Sequence, residues 1–111
     1  MSKSRRPKFS VIMNCLDCER YLPAALASLK AQSCQDFEII FWDNGSRDES
    51  AAIALDYGPR LRYFRSEETV PLGQARNLAI SKAEGEYVAF LDCDDLWRPG
   101  KLEKQLALLE A

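Results

Sequence analysis

Asp92, Asp94 and Asp95 stand within four residues in the stretch Phe90-Leu91-Asp92-Cys93-Asp94-Asp95-Leu96-Trp97. They follow directly on the apolar run Tyr87-Val88-Ala89-Phe90-Leu91. Three carboxylates brought so close repel one another unless they fan out into water or something positive holds them. In an extended segment, residues two apart point to the same side, so Asp92 and Asp94 share one. Mg²⁺ and Mn²⁺ prefer hard oxygen ligands and commonly use one or two carboxylates plus substrate phosphates. A metal site is one reading of the triplet. The other is a solvated strand-to-helix turn with Asp95 near a helix N-terminus. The triplet alone leaves both open.

The remaining composition narrows the chemistry. The 111 residues include no histidine, which removes the commonest general base at neutral pH and any Ser-His or Cys-His pair. What is left is carboxylates, arginine, backbone groups or a metal. The formal net charge of −2 gives no electrostatic footprint for nucleic acid. No apolar run approaches the ~20 residues of a membrane span, and the N-terminus lacks the apolar segment of a secretory signal. The chain therefore reads as soluble and cytoplasmic, with its four cysteines, Cys15, Cys18, Cys34 and Cys93, reduced.

Cys15-Leu16-Asp17-Cys18 admits a redox reading, because a C-x-x-C between a strand and a helix is where a thioredoxin-like pair sits. Pro23 after the pair and the order of elements that follows speak against it. In the plainer reading Cys15 ends a buried strand and Cys18 lies on the first helical turn. A four-cysteine zinc site would need Cys34 and Cys93 to converge with that pair, and the spacing gives no support for this.

The elements that must position the carboxylates alternate. Residues 1–8 read as a solvated basic tail, Lys3 to Lys8 being Lys-Ser-Arg-Arg-Pro-Lys, and residues 9–111 as the folded unit. Phe9–Met13, Phe37–Trp42, Leu61–Phe64 and Tyr87–Leu91 are apolar, partly β-branched runs expected of strands covered on both faces. Between and after them, Leu22/Ala25/Leu26/Leu29, Leu72/Ala75/Leu78/Ala79 and Leu102/Leu106/Leu109 fall at helical spacing. Ser46-Arg47-Asp48-Glu49 reads as a capping box for a further helix closed by Gly58-Pro59. Four strand–helix units with short connections imply right-handed crossovers and a Rossmann-like, mostly parallel four-stranded sheet flanked by helices. Ligands bind such sheets beyond the carboxyl ends of the strands. Asn14, Asp17, Asp43, Asn44, Asp92, Asp94 and Asp95 are expected on that rim, with Arg76 as its cation. A receiver-like phosphoacceptor domain also gathers aspartates there, but it needs an acidic pair where this chain has Asn14 and Cys15.

The ordered set of motifs resembles the family 2 nucleotide-sugar glycosyltransferases, which have the GT-A fold. Residues 9–50 are similar to that family's opening strand, helix and second strand, with the Asp43-Asn44-Gly45-Ser46-Arg47-Asp48 turn. Residues 71–97 resemble its G-x-A-R-N helix, G-E-Y strand and D-x-D motif. The resemblance implies the nucleotide-binding half of a GT-A fold, with Asp43, Asn44, Arg76 and Asp92 toward the nucleotide. It implies Asp94, with Asp92, on a diphosphate-bound Mn²⁺ or Mg²⁺. The donor would be a UDP-sugar, and the acceptor a glycan or lipid-linked hydroxyl in polysaccharide biosynthesis, attacked with inversion. The full-length enzyme would work in the cytoplasm or at the cytoplasmic face of a membrane. The loop after the first strand departs from the family, with Cys15, Leu16 and Asp17 where a T-Y-N type tripeptide is common. No catalytic base is expected in this chain. A missing second half would also leave the fourth strand and last helix uncovered, so a homo-oligomer through that edge is expected.

Overall fold

The computed structural model describes residues 6–111. Its elements alternate as the sequence pattern requires: β1 (Phe9–Cys15), α1 (Leu22–Lys30), β2 (Phe37–Asp43), α2 (Ser50–Leu55), β3 (Leu61–Arg65), α3 (Leu72–Ile80), β4 (Tyr87–Phe90) and α4 (Lys101–Leu109). The strands form one parallel sheet in the order β3-β2-β1-β4. The two central strands carry the continuous apolar runs. Every residue of β2 is buried, and in β1 only Asn14 is partly exposed.

The two faces are covered unequally. Phe9, Val11, Met13, Ile39 and Phe41 pack under α1, α2 and α4 in the larger core. Ile12, Ile40 and Trp42 face the other way, onto Ala75 and Ala79 of α3. The small alanines let α3 approach closely, which fixes where its Arg76 sits. Among the described residues β4 pairs only with β1, and its Val88 and Phe90 are half exposed. This is the edge at which the sequence leads one to expect association.

Two local expectations do not hold. Ser46 does not cap α2, which begins at Ser50 and has Glu49 as its N-cap, without a side-chain cap. The Ser46 hydroxyl instead accepts the Asp17 N–H at 2.8 Å, a long-range bond that outcompetes the local one. Asp95 is not at a helix N-terminus either, since α4 starts six residues later, at Lys101. Of the basic run, residues 1–5 lie outside the described residues. Arg6 donates to the carbonyls of Glu84 and Gly85, and Lys8 pairs with Glu86 and Glu110, so the end of the run is tied down.

At the N-terminal end of the sheet a buried polar cluster registers β4 on β1. Ser10 Oγ donates to Glu38 at 2.5 Å, and Glu38 also accepts from Arg62 and from the Glu84 N–H. Gly85 N–H donates to Ser10 Oγ at 2.8 Å. A Cβ on Gly85 would lie 2.7 Å from Phe9 C, Ser10 N and Ser10 Oγ, so only glycine permits this approach. Gly85→Ala should therefore push β4 off β1 and destabilise the fold by about 2 kcal/mol or more. An unchanged midpoint in urea unfolding would refute the role given to this glycine.

Candidate functional site

The carboxyl ends of β1 and β4 and the first turns of α3 enclose an open cleft of about 480 Å³. Asn14, Asp17, Tyr21, Arg76, Asp92 and Asp94 supply its polar walls, and Leu16 and Leu72 its apolar ones. Asp92 and Asp94 share this cleft for a reason different from strand alternation. β4 ends at Phe90, and the Asp95 N–H closes a turn onto the Asp92 carbonyl at 3.0 Å. Leu91 and Cys93 are buried, and Asp92 and Asp94 are exposed. Asp95 faces a separate cleft with Trp97, Arg98 and Lys104.

Two residues that line the cleft each carry an unused nitrogen donor. Asn14 Nδ2 and Arg76 Nε are buried atoms with no hydrogen-bond partner among the described residues. The Arg76 guanidinium lies over the Phe90 ring, 5.4 Å from its centroid, which orients it without saturating its donors. Leaving a buried donor unpaired costs about 1–3 kcal/mol. A ligand with acceptor oxygens would recover that.

Asp43 and Asn44 do not line this cleft. Asp43 is fully buried, and its carboxylate accepts from Tyr63 Oη at 2.6 Å, Ser46 N–H at 2.7 Å and Arg65 Nη1 at 2.9 Å. Burial alone would push its carboxyl up. The donors from Tyr63 and Ser46, with the Arg65 charge, outweigh it and hold the carboxyl below its ordinary value. Asn44 is likewise buried, exchanging hydrogen bonds with the Val70 N–H and carbonyl at 2.9 and 2.8 Å. The polar atoms that the sequence reading directs at a nucleotide are paired within the protein in this structure. Asn44 fixes the segment that leads into α3, and Asp43 fixes the loop after β2. The signal that could have exposed this is the pair Tyr63 and Arg65, polar residues on an otherwise apolar strand.

The cysteines also differ from expectation. Cys15 and Cys18 are joined in a disulfide, where the sequence reading had four thiols. Cys18 is not on the first helical turn, because α1 begins at Leu22. The pair therefore lacks the helix N-terminus that activates a redox thiol. Between them Asp17 adopts φ +52°, a left-handed conformation that short polar side chains tolerate. Its carboxylate accepts the Arg47 N–H at 2.7 Å, tying this loop to the one after β2. Cys93, between the two aspartates, is a free thiol pushed up to about 12 by burial and by the Asp92, Asp94 and Asp43 carboxylates. With no metal bound it stays protonated at neutral pH and offers no nucleophile.

A family model for glycosyl transferase family 2 matches residues 10–111. The chain belongs to that family. It is 38% identical over 108 residues to EpsE of Bacillus subtilis, covering 94% of this chain and 39% of EpsE. It is 39% identical over 103 residues to an uncharacterized glycosyltransferase of Haemophilus influenzae, covering 90% of this chain and 41% of that one. The chain thus spans about two-fifths of the length of these two relatives. The solved structure of S. aureus TarS 1–349 superposes with a TM-score of 0.88 at 32% identity, over 93% of this chain and 32% of TarS. TarS has also been solved in complex with UDP and with UDP-GlcNAc. The mannosyltransferase PcManGT of Pyrobaculum calidifontis, solved with GDP-Man and Mn²⁺, shares the fold at a TM-score of 0.75 and 24% identity, over 85% of this chain and 29% of that one. The parallel sheet flanked by helices is therefore the family's GT-A fold.

The Asp43 network makes a prediction that involves no ligand. Asp43→Asn should destabilise the chain by about 2–3 kcal/mol at neutral pH, mostly through hydrogen bonds to a buried charge, because Arg65 is itself half exposed. A carboxyl held low when folded contributes stability above its unfolded value of about 3.9, and that stability fades as pH falls through the lower folded value. The gap between wild type and variant should therefore begin to narrow below about pH 4 and go on narrowing as pH falls through the lower folded value. A gap that stays constant from neutral pH down to the acid limit of folding would show that the charge is not what stabilises the loop.

Proposed function

We propose that this chain is the donor-binding part of an inverting glycosyltransferase that moves a sugar from a nucleoside-diphosphate sugar, most simply a UDP-sugar, to an acceptor hydroxyl. The observation that carries the reading is the pairing, in the lining of one cleft, of two carboxylates with two residues whose buried N–H donors are unpaired. Asp92 and Asp94 attract a cation, while Asn14 Nδ2 and Arg76 Nε need acceptor oxygens. A metal–diphosphate ligand answers both demands, and neither a cation nor an anion alone does. Family membership and the UDP complexes of TarS support the choice of nucleotide.

The residues fit a divalent ion. Asp94 and Asp92 provide hard oxygens of the kind Mn²⁺ and Mg²⁺ prefer. Bound there, such an ion would supply Lewis-acid stabilisation of the charge on the leaving diphosphate. Arg76 would complement the same charge from the opposite wall, and Asn14 would orient a diphosphate or ribose oxygen. Tyr21, half exposed at the mouth, and the apolar Leu16 and Leu72 suit the flat face of a base. Deprotonating the acceptor falls to a group outside this set. Asp95 opens onto another cleft, and Asp17 is engaged with the Arg47 N–H. We place that base, and the acceptor site, in the portion that relatives have beyond the stretch matched by this chain.

Calorimetric titration with UDP tests the reading. Binding should require Mn²⁺, disappear in Asp94→Ala and weaken about tenfold or more in Arg76→Ala, the effect of losing a charge-assisted bond. Equal UDP affinity with and without Mn²⁺ would contradict it. This polypeptide alone should give no transfer to an acceptor; saturable transfer would mean that the base lies within it.

A further inference from the structure

We propose that, when reduced, Cys15, Cys18 and Cys93 form a thiolate site for one borderline-soft divalent ion of the zinc class, and that the Cys15–Cys18 disulfide is the closed state of that site. The three sulfur atoms lie within 4.8 Å of one another, and Cys34 is not among them. In a tetrahedral site with metal–sulfur bonds of about 2.3 Å, neighbouring sulfurs are about 3.8 Å apart. Cys93 already lies within 4.8 Å of both other sulfurs, and once the Cys15–Cys18 bond is reduced, side-chain rotation separates that pair toward the same spacing.

The loop that carries the first two sulfurs is held independently of the disulfide. Asp17 N–H donates to Ser46 Oγ, Cys18 N–H to Ser50 Oγ at 3.0 Å, and Glu19 N–H to Asp48 at 3.0 Å. Reduction therefore frees the sulfurs without freeing the backbone. Cys93 is presented by the turn after β4, with its thiol on the Asn14 carbonyl at 3.3 Å. Hydroxyls stand beside two of the sulfurs: Ser46 Oγ at 3.7 Å from Cys15 Sγ, and Ser50 Oγ donating to Cys18 Sγ at 3.7 Å. Such outer partners orient thiolate ligands and stabilise their charge.

Ligand softness separates this site from the carboxylate pair beside it. Sulfur selects zinc-class ions, whereas Asp92 and Asp94 suit magnesium and manganese. Cys18 and Cys93 both line the cleft, so a fourth position faces water. Opening the site takes two electrons and two protons from a dithiol reductant, which becomes a disulfide. Metal binding then releases the sulfur protons to solvent. A small-molecule disulfide, reduced to two thiols with protons from solvent, takes the two electrons back, re-forms the Cys15–Cys18 bond and expels the ion.

Cadmium titration of the whole chain, reduced and then freed of reductant under anaerobic conditions, provides the test. One Cd²⁺ per chain should bind with a thiolate-to-cadmium ultraviolet band that excess Mg²⁺ leaves unchanged and Zn²⁺ displaces. The band should be lost in Cys93→Ser and in Cys18→Ser, retained in Cys34→Ser, and absent from protein whose Cys15–Cys18 disulfide is confirmed by mass spectrometry. Folding of each variant is checked by circular dichroism, and Cys18→Ser serves if Cys93→Ser does not fold. No band in reduced, folded wild type, retention of the band in a folded Cys93→Ser or Cys18→Ser, or its loss in Cys34→Ser would overturn the proposal. The readout is independent of UDP, so its failure leaves the donor-site reading standing, and the reverse also holds.

Discussion

The rim of this sheet depends on one buried carboxylate. Asp43 ends the central strand β2 with no exposed surface. A carboxylate there is tolerable only because Tyr63, Ser46 and Arg65 surround it with donors. Those three partners come from β3 and from the loop after β2, so satisfying the charge dictates where both run. The loop in turn presents Ser46 and Arg47, whose hydroxyl and N–H hold Asp17. Through Asp17 the β1–α1 loop is set, and with it one wall of the cleft. A residue outside the cleft's walls thereby shapes the site.

Asn44, next in sequence, does the same for the opposite wall. Its amide is paired with both backbone groups of Val70, just before α3. α3 then lies close on Ile12 and Ile40 through Ala75 and Ala79, and Arg76 is carried into the cleft. The two neighbours at the end of β2 thus act on opposite sides of the site, one through β3 and the β1–α1 loop, the other through α3. Asp92 and Asp94 complete it from β4, which the Ser10–Glu38–Gly85 cluster registers against β1.

The architecture was legible because β1 and β2 are unbroken apolar runs, a pattern that requires cover on both faces and hence parallel crossovers. The placement of Asp92, Asp94 and Arg76 was legible for a related reason: position after a strand or within a helix suffices to bring them to the rim. What was not legible depends on partners remote in sequence. That Asp43 is buried on Tyr63 and Arg65, about 20 residues away, is one such case. Ser46 matches a local capping pattern, yet it is bonded to Asp17, 29 residues upstream. Cys93 approaches Cys15 only because β4 pairs with β1, a long-range neighbour relation that spacing in sequence does not encode.

The central claim is that Asp92 and Asp94 hold a divalent ion against the donor diphosphate in the cleft walled by Asn14 and Arg76. Diffraction from crystals grown with UDP and Mn²⁺, recorded at the manganese edge, addresses it directly. The account predicts one anomalous peak within bonding distance of the Asp94 carboxylate and a phosphate oxygen, on the Asp92 side of the cleft. A peak held by Asp17 or Asp95, or a diphosphate bound away from Arg76 with Asp94 bare, would contradict it.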